Sequence, residues 1–125
     1  MLEPKPLFFV GSSREGLRSL PESVKDVFGY ALFLAQTGEM HVRAKPLRGF
    51  GGAGVLEVVA NDDGGTYRTV YTVRYAGAVY VLHVFQKKSR RGISTPRQEI
   101  ELVRARLRQA EQHYAATYGR GTERR

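Results

Sequence analysis

The longest run of non-polar positions falls in residues 66–88, TYRTVYTVRYAGAVYVLHVFQKK, and the rest of the chain is ordered around it. Residues 66–75 are dense in threonine, valine and tyrosine. Residues 78–85 are apolar apart from His83 and the Tyr80 hydroxyl. β-Branched and aromatic side chains suit a pleated surface, and a nearly continuous apolar run suits a strand covered on both faces. The pattern predicts two long strands joined by a tight turn at Ala76-Gly77, at the centre of a sheet.

Shorter patterns flank this hairpin. Residues 5–11 (KPLFFVG) predict a first strand, with Pro4 and Pro6 tolerated at a sheet edge. Ser12 or Ser13 can cap a brief helix running to Leu20, and Pro21 suits the first position of a second helix. Val24, Val27, Phe28, Ala31, Leu32 and Ala35 recur at spacings of three and four, and Gly38 is placed to end that helix. The glycine-rich residues 39–54 predict a connection without a stable element beyond a turn near Pro46. Residues 55–60 (VLEVVA) predict a strand closed by the turn residues 61–65. The last helix opens at Thr95-Pro96-Arg97-Gln98, with Thr95 as its cap, and carries Ile100, Val103, Leu107, Ala110 and Tyr114 on one stripe. The predicted order is β-α-α-β-β-β-α, an α+β fold with a mostly antiparallel sheet, a helical hairpin near the start and a terminal helix. Residues 1–125 form one domain, with a core of about 5–117 and a frayed tail at 118–125.

Composition narrows the partners. Twenty lysines and arginines against twelve acidic residues give a net charge of +8, and the sequence pI is ≈ 10.1. Such an excess favours polyanions, nucleic acid first among them. There are no cysteines, so disulfides and thiolate metal sites are excluded, and Asp62 and Asp63 are explained by turn chemistry. No metal or cofactor is expected. The apolar runs fall short of the roughly 20 residues that span a bilayer, and the opening segment is too short for a secretory signal. A cytoplasmic protein without a membrane partner is expected.

Alternation along the strand places Arg68, Val70, Thr72 and Arg74 on one face. A two-residue turn at Ala76-Gly77 would set Arg68 opposite Phe85, and would bring Val79, Val81, His83, Phe85 and Lys87 to the same face. Arg68 sits mid-strand, where a charge needs an anionic partner or a cleft open to solvent. Lys87, Lys88, Arg90 and Arg91 form a basic cluster after the second strand, and Lys45, Arg48 and Arg74 are further candidates for contacts to a polyanion backbone.

Several motifs together resemble the RelE/HigB superfamily of type II toxin–antitoxin toxins, in its phage-derived HigB-like branch. They are Tyr67-Arg68-x-x-Tyr71, Leu82-His83-x-Phe85-x-Lys87-Lys88, Thr95-Pro96 opening a charged helix, and Lys45-Pro46-Leu47-x-Gly49. The resemblance implies a small α+β domain with a curved sheet. It also implies an endoribonuclease that cleaves mRNA, commonly on the translating ribosome, and a partner antitoxin, often a small helix-turn-helix protein. By the same resemblance Arg68 is the arginine on the scissile phosphate, and Lys87 and Lys88 are the basic catalytic group.

Metal-independent cleavage requires the RNA 2′-hydroxyl to lose a proton and attack the adjacent phosphorus, while the departing 5′-oxygen gains one. An always-protonated arginine suits the clamp on the developing charge. Lys87, Lys88 or His83 are the candidates for moving protons. Leu56-Glu57 is followed here by Val58-Val59, where many relatives place an arginine. That difference keeps open a non-catalytic RNA- or ribosome-binding module on the same fold, or a structural subunit whose basic face docks an acidic partner.

Overall fold

The computed structural model describes residues 3–52, 54–87 and 95–119. Its elements are β1 (Leu7–Phe9), α1 (Ser13–Arg18), α2 (Glu22–Gln36), β2 (Lys45–Pro46), β3 (Val55–Asp62), β4 (Gly65–Thr72), β5 (Val79–Lys87) and α3 (Arg97–Tyr118). The five strands form one sheet in the order β1-β5-β4-β3-β2, with β1 parallel to β5 and the remaining pairs antiparallel. The α+β class and the central place of the β4–β5 hairpin follow the sequence reading. The order gains one strand. Lys45 and Pro46 pair with Glu57 and Leu56, inside a stretch whose side-chain pattern signals no element. A two-residue edge strand needs only main-chain groups, so it leaves no periodicity to read.

Helices cover both faces. Val24, Phe28, Ala31, Leu32 and Ala35 of α2 pack on Leu56, Val58, Ala60, Tyr71, Val79, Val81 and Val84. Burying Phe28 completely contributes up to about 3 kcal/mol. On the opposite face Val103, Ala110 and Tyr114 of α3 meet Val55, Val70, Tyr75, Ala78, Tyr80 and Leu82. The start of β1 is tied down where Lys5 N–H donates to the Gln36 carbonyl at 2.8 Å and Gln36 Nε2 donates to the Lys5 carbonyl at 2.6 Å.

The β3–β4 turn is a two-residue one. Asp62 pairs with Gly65, and Asp63 (φ 48°) and Gly64 (φ 80°) both adopt the left-handed conformation that such a hairpin demands. The β4–β5 connection differs from the expected tight turn at Ala76-Gly77. β4 ends at Thr72, and residues 73–78 leave the ladder because Tyr75 is drawn into the α3 core. Its ring stacks on Tyr114 with centroids 4.4 Å apart, and Gly77 N–H donates to Tyr114 Oη at 3.0 Å.

A register shift between Val70 and Tyr71 absorbs the difference. Val70 pairs with His83 while Tyr71 pairs with Val81, so Leu82 is the extra residue on β5. Arg68 lies opposite Phe85, as the pattern predicted. Val79 and Val81, however, turn to the α2 face instead of the Arg68 face. Pro21 and Pro96 stand one position earlier than predicted, as the residues preceding α2 and α3.

Candidate functional site

Cross-strand partners share a face of a sheet. The register therefore sets Lys45, Glu57, Val70 and His83 in one row on the α3 side. Val59, Arg68 and Phe85 form the next row, and Asn61, Thr66 and Lys87 the third. The extra residue at Leu82 lies on the loop side of this row, so His83 keeps the place opposite Val70 that the regular register predicted.

Arg68 is 4% exposed. Its Nη1 donates to Glu57 Oε2 at 2.8 Å, and the Thr95 hydroxyl donates to the same oxygen at 2.8 Å. Thr95 Oγ1 also accepts from Arg68 Nη1 at 3.3 Å. The guanidinium does not open onto a solvent-filled groove, one of the two settings the sequence left open for it: it is buried and ion-paired within its own chain. The reason is electrostatic. A guanidinium under α3 loses most of its hydration, and a charge buried there persists only beside a carboxylate with its remaining valences hydrogen-bonded. Thr95, expected to cap α3, spends its hydroxyl on this pair instead.

His83 lies beside this pair on β5. Its Nε2 is 2.6 Å from Glu99 Oε1 of α3, and Arg106 Nη1 is 3.4 Å from its Nδ1. Arginine only donates, so Nδ1 carries the lone pair and Nε2–H points to the Glu99 carboxylate. The ring stacks on Phe85 with centroids 4.5 Å apart. Burial holds the imidazole pKa below its usual value, helped by Arg106 and opposed by Glu99. Arg106 itself is anchored by the Leu82 carbonyl at 3.0 Å and Ser12 Oγ at 3.2 Å, and burial lowers its pKa too.

The other predicted cations scatter. Lys87 ends the third row, on the Arg68 face, and is half-buried. Lys45 is exposed beside Glu57 on β2, and Arg48 is exposed in the following loop. Arg74 stands at the other end of the sheet, six residues and roughly 20 Å of strand from Arg68. It lines a cleft of about 540 Å³ with Arg108, Glu111, Gln112, Tyr114, Ala115 and Gly119. Lys88, Arg90 and Arg91 lie outside the described residues.

Sequence reasoning did not assign Glu57, Glu99 or Arg106 to the site. Glu57 had a signal, since the Asp63-Gly64 turn places it diagonally across from Arg68 on the same face. Glu99 and Arg106 had none, because nothing in the sequence sets where α3 docks.

Chemically the face offers a fixed carboxylate able to accept a proton and a guanidinium fork oriented by it. Beside them are an imidazole kept neutral near pH 7 and a lysine at the rim. Among the described residues no helix is long and apolar enough to cross a membrane.

Three comparisons bear on kinship. The family model described as phage derived protein Gp49-like (DUF891) matches residues 15–108. Among solved structures, a chain of the toxin–antitoxin complex RelBE2 from Mycobacterium tuberculosis is similar. It is 24% identical with a TM-score of 0.42, over 71% of this chain and 98% of that one. No curated protein matches.

Proposed function

The chain belongs to the phage-derived Gp49-like family, a RelE/HigB-type toxin family, and from that premise we propose that it is the toxin of a type II toxin–antitoxin pair. In this reading it is a metal-independent endoribonuclease that cleaves mRNA at the translating ribosome, in the cytoplasm, and so stops translation and growth. A small helix-turn-helix antitoxin neutralises it.

The observation that carries the reading is the Arg68–Glu57 pair, 2.8 Å apart on one sheet face. Glu57 takes the proton from the 2′-hydroxyl, and the 2′-oxygen then forms a bond to the adjacent phosphorus. Arg68, oriented by Glu57 and Thr95, stabilises the charge that builds on the phosphoryl oxygens. The bond to the 5′-oxygen breaks, and that oxygen takes a proton from Lys87 or Lys88. The products are a 2′,3′-cyclic phosphate and a 5′-hydroxyl. Lys45, Arg48, Arg74, Arg90 and Arg91 hold the RNA backbone, with an affinity that falls as salt rises.

The test is induction of the wild-type chain, Glu57→Gln and Arg68→Lys in cells, with growth and primer extension on mRNA followed together. Wild type should arrest growth and leave discrete new 5′ ends, and both should vanish in variants recovered folded. Undiminished cleavage by a folded Glu57→Gln chain removes the assigned base. Co-expression of a neighbouring helix-turn-helix frame should restore growth.

A second reading is favoured by the low exposure of Arg68: the chain binds RNA or the ribosome without cutting it. Growth arrest without discrete new 5′ ends would select that reading.

A further inference from the structure

We infer that the cleft between Arg74 and the C-terminal half of α3 is a second binding site, distant from the Arg68 face, for the phosphate backbone of single-stranded RNA. The inference rests on the RNA-directed reading above and extends it to residues with no part in the chemistry.

The cleft is lined by Arg74 on one side and by Arg108, Glu111, Gln112, Tyr114, Ala115 and Gly119 on the other, and the glycine-rich loop braces both elements. Gly54 at the end of the loop accepts from the Val73 N–H at 2.9 Å, which fixes the loop against the start of the Arg74 segment. At its other end the Phe50 ring lies beneath Arg104 of α3, with the guanidinium carbon 4.7 Å from the centroid. Arg74 lies over Tyr75 at 5.8 Å. Arg104 and Arg108 are four residues apart on the exposed face of α3, so their side chains leave the helix about 6 Å apart. Arg74 and Arg108 therefore line the cleft with Arg104 one turn away, and no ion pair holds any of the three among the described residues. Two are stacked on aromatic rings, which limits the rotamer entropy lost when an anion arrives. Glu111 is the one carboxylate lining the cleft, against Arg74 and Arg108.

The chemistry fits a phosphodiester chain better than an acidic protein. A protein interface has an apolar centre, whereas this lining is guanidinium, amide, carboxylate and glycine around a Tyr114 that is 1% exposed. The large exposed apolar side chains, Tyr30, Phe33, Met40 and Val42, belong instead to α2 and the segment after it.

The probe is a single-stranded 2′-O-methyl oligonucleotide, which has no nucleophile and stays intact whether or not the protein is a nuclease. Its affinity is measured between 50 and 200 mM salt for wild type, for Arg74→Ala/Arg108→Ala, and for the charge-matched control Arg14→Ala/Arg18→Ala on α1. Losing two phosphate contacts should flatten the salt dependence by about 1.4 in log–log slope. The deficit of the cleft variant should then shrink about 7-fold across that range. Equal losses in the cleft variant and the control would overturn the site, leaving only net charge. A poly-glutamate peptide that binds wild type more tightly than the oligonucleotide, and loses that binding in the cleft variant, would overturn the choice of RNA. Because the probe cannot be cut, absent nuclease activity would defeat the proposed function and leave this result standing.

Discussion

Arg68 and Glu57 meet diagonally across β3 and β4, Nη1 to Oε2 at 2.8 Å, with the Thr95 hydroxyl donating to the same oxygen. The pair joins the middle of the sheet to the residue preceding Pro96, so the stability of the site and the docking of α3 share one ionic contact. Its side chains are 5% and 13% exposed, which places it among buried pairs rather than surface ones.

Removing one partner should therefore destabilise the protein. Arg68→Ala or Glu57→Ala alone should each cost about 3–5 kcal/mol, because the remaining charge is stranded, while Arg68→Leu/Glu57→Leu should cost much less. Urea denaturation of the three variants checks this. Equal losses in single and double variants would show that packing, not charge, holds the site.

His83 gives the protein a pH dependence of known sign. Its folded-state pKa is below the unfolded value of about 6.5, so the unfolded chain takes up a proton that the folded chain resists. The stability held above pH 6.5 should fall as pH drops below it through the folded pKa. Glu99→Gln removes the carboxylate charge that raises the imidazole pKa and should push it lower still. NMR titration of the His83 ring in wild type and variant measures both shifts, and an upward shift in the variant would contradict the assigned contacts.

Gly11→Ala should act at a distance. A Cβ at Gly11 would stand 2.7 Å from Arg106 Nε, and the backbone there is at φ +58°. The substitution should cost on the order of 1–3 kcal/mol and displace Arg106 from the Leu82 carbonyl. With that cation gone from Nδ1, the His83 pKa should rise. A destabilised protein with an unchanged imidazole titration would separate the two effects.

Tyr114→Phe keeps the ring stacked on Tyr75 and deletes the oxygen that accepts from Gly77 N–H. A loss of about 1–3 kcal/mol is expected for the donor left behind. Amide exchange at Gly77 should quicken well beyond that at neighbouring positions.

The elements that were legible are those whose own side chains carry the signal. The α2 stripe emerged buried at Val24, Phe28, Ala31, Leu32 and Ala35, and the pairing of Arg68 with Phe85 followed from counting through the hairpin. What was not legible depends on remote partners. Residues 73–78 look like a continuing strand, and only the pocket beneath Tyr114 shows why Tyr75 departs. Thr95 has the sequence context of a helix cap, and only Glu57 on another strand explains its actual bond. The carboxylate that pairs Arg68 could have been located from the Asp63-Gly64 turn. The placing of Glu99 and Arg106 around His83 required the angle at which α3 crosses the sheet.

The two margins of the sheet bear on how the protein behaves when concentrated. β1 offers three residues behind Pro4 and Pro6, and β2 offers two, one of them proline. Each covers only part of its neighbour, for β1 pairs with residues 79–81 of β5 and β2 with residues 56–57 of β3. The strand kept wholly in the interior is β4, which has β3 on one side and β5 on the other, while the short proline-bearing edge strands are themselves poor templates for another molecule.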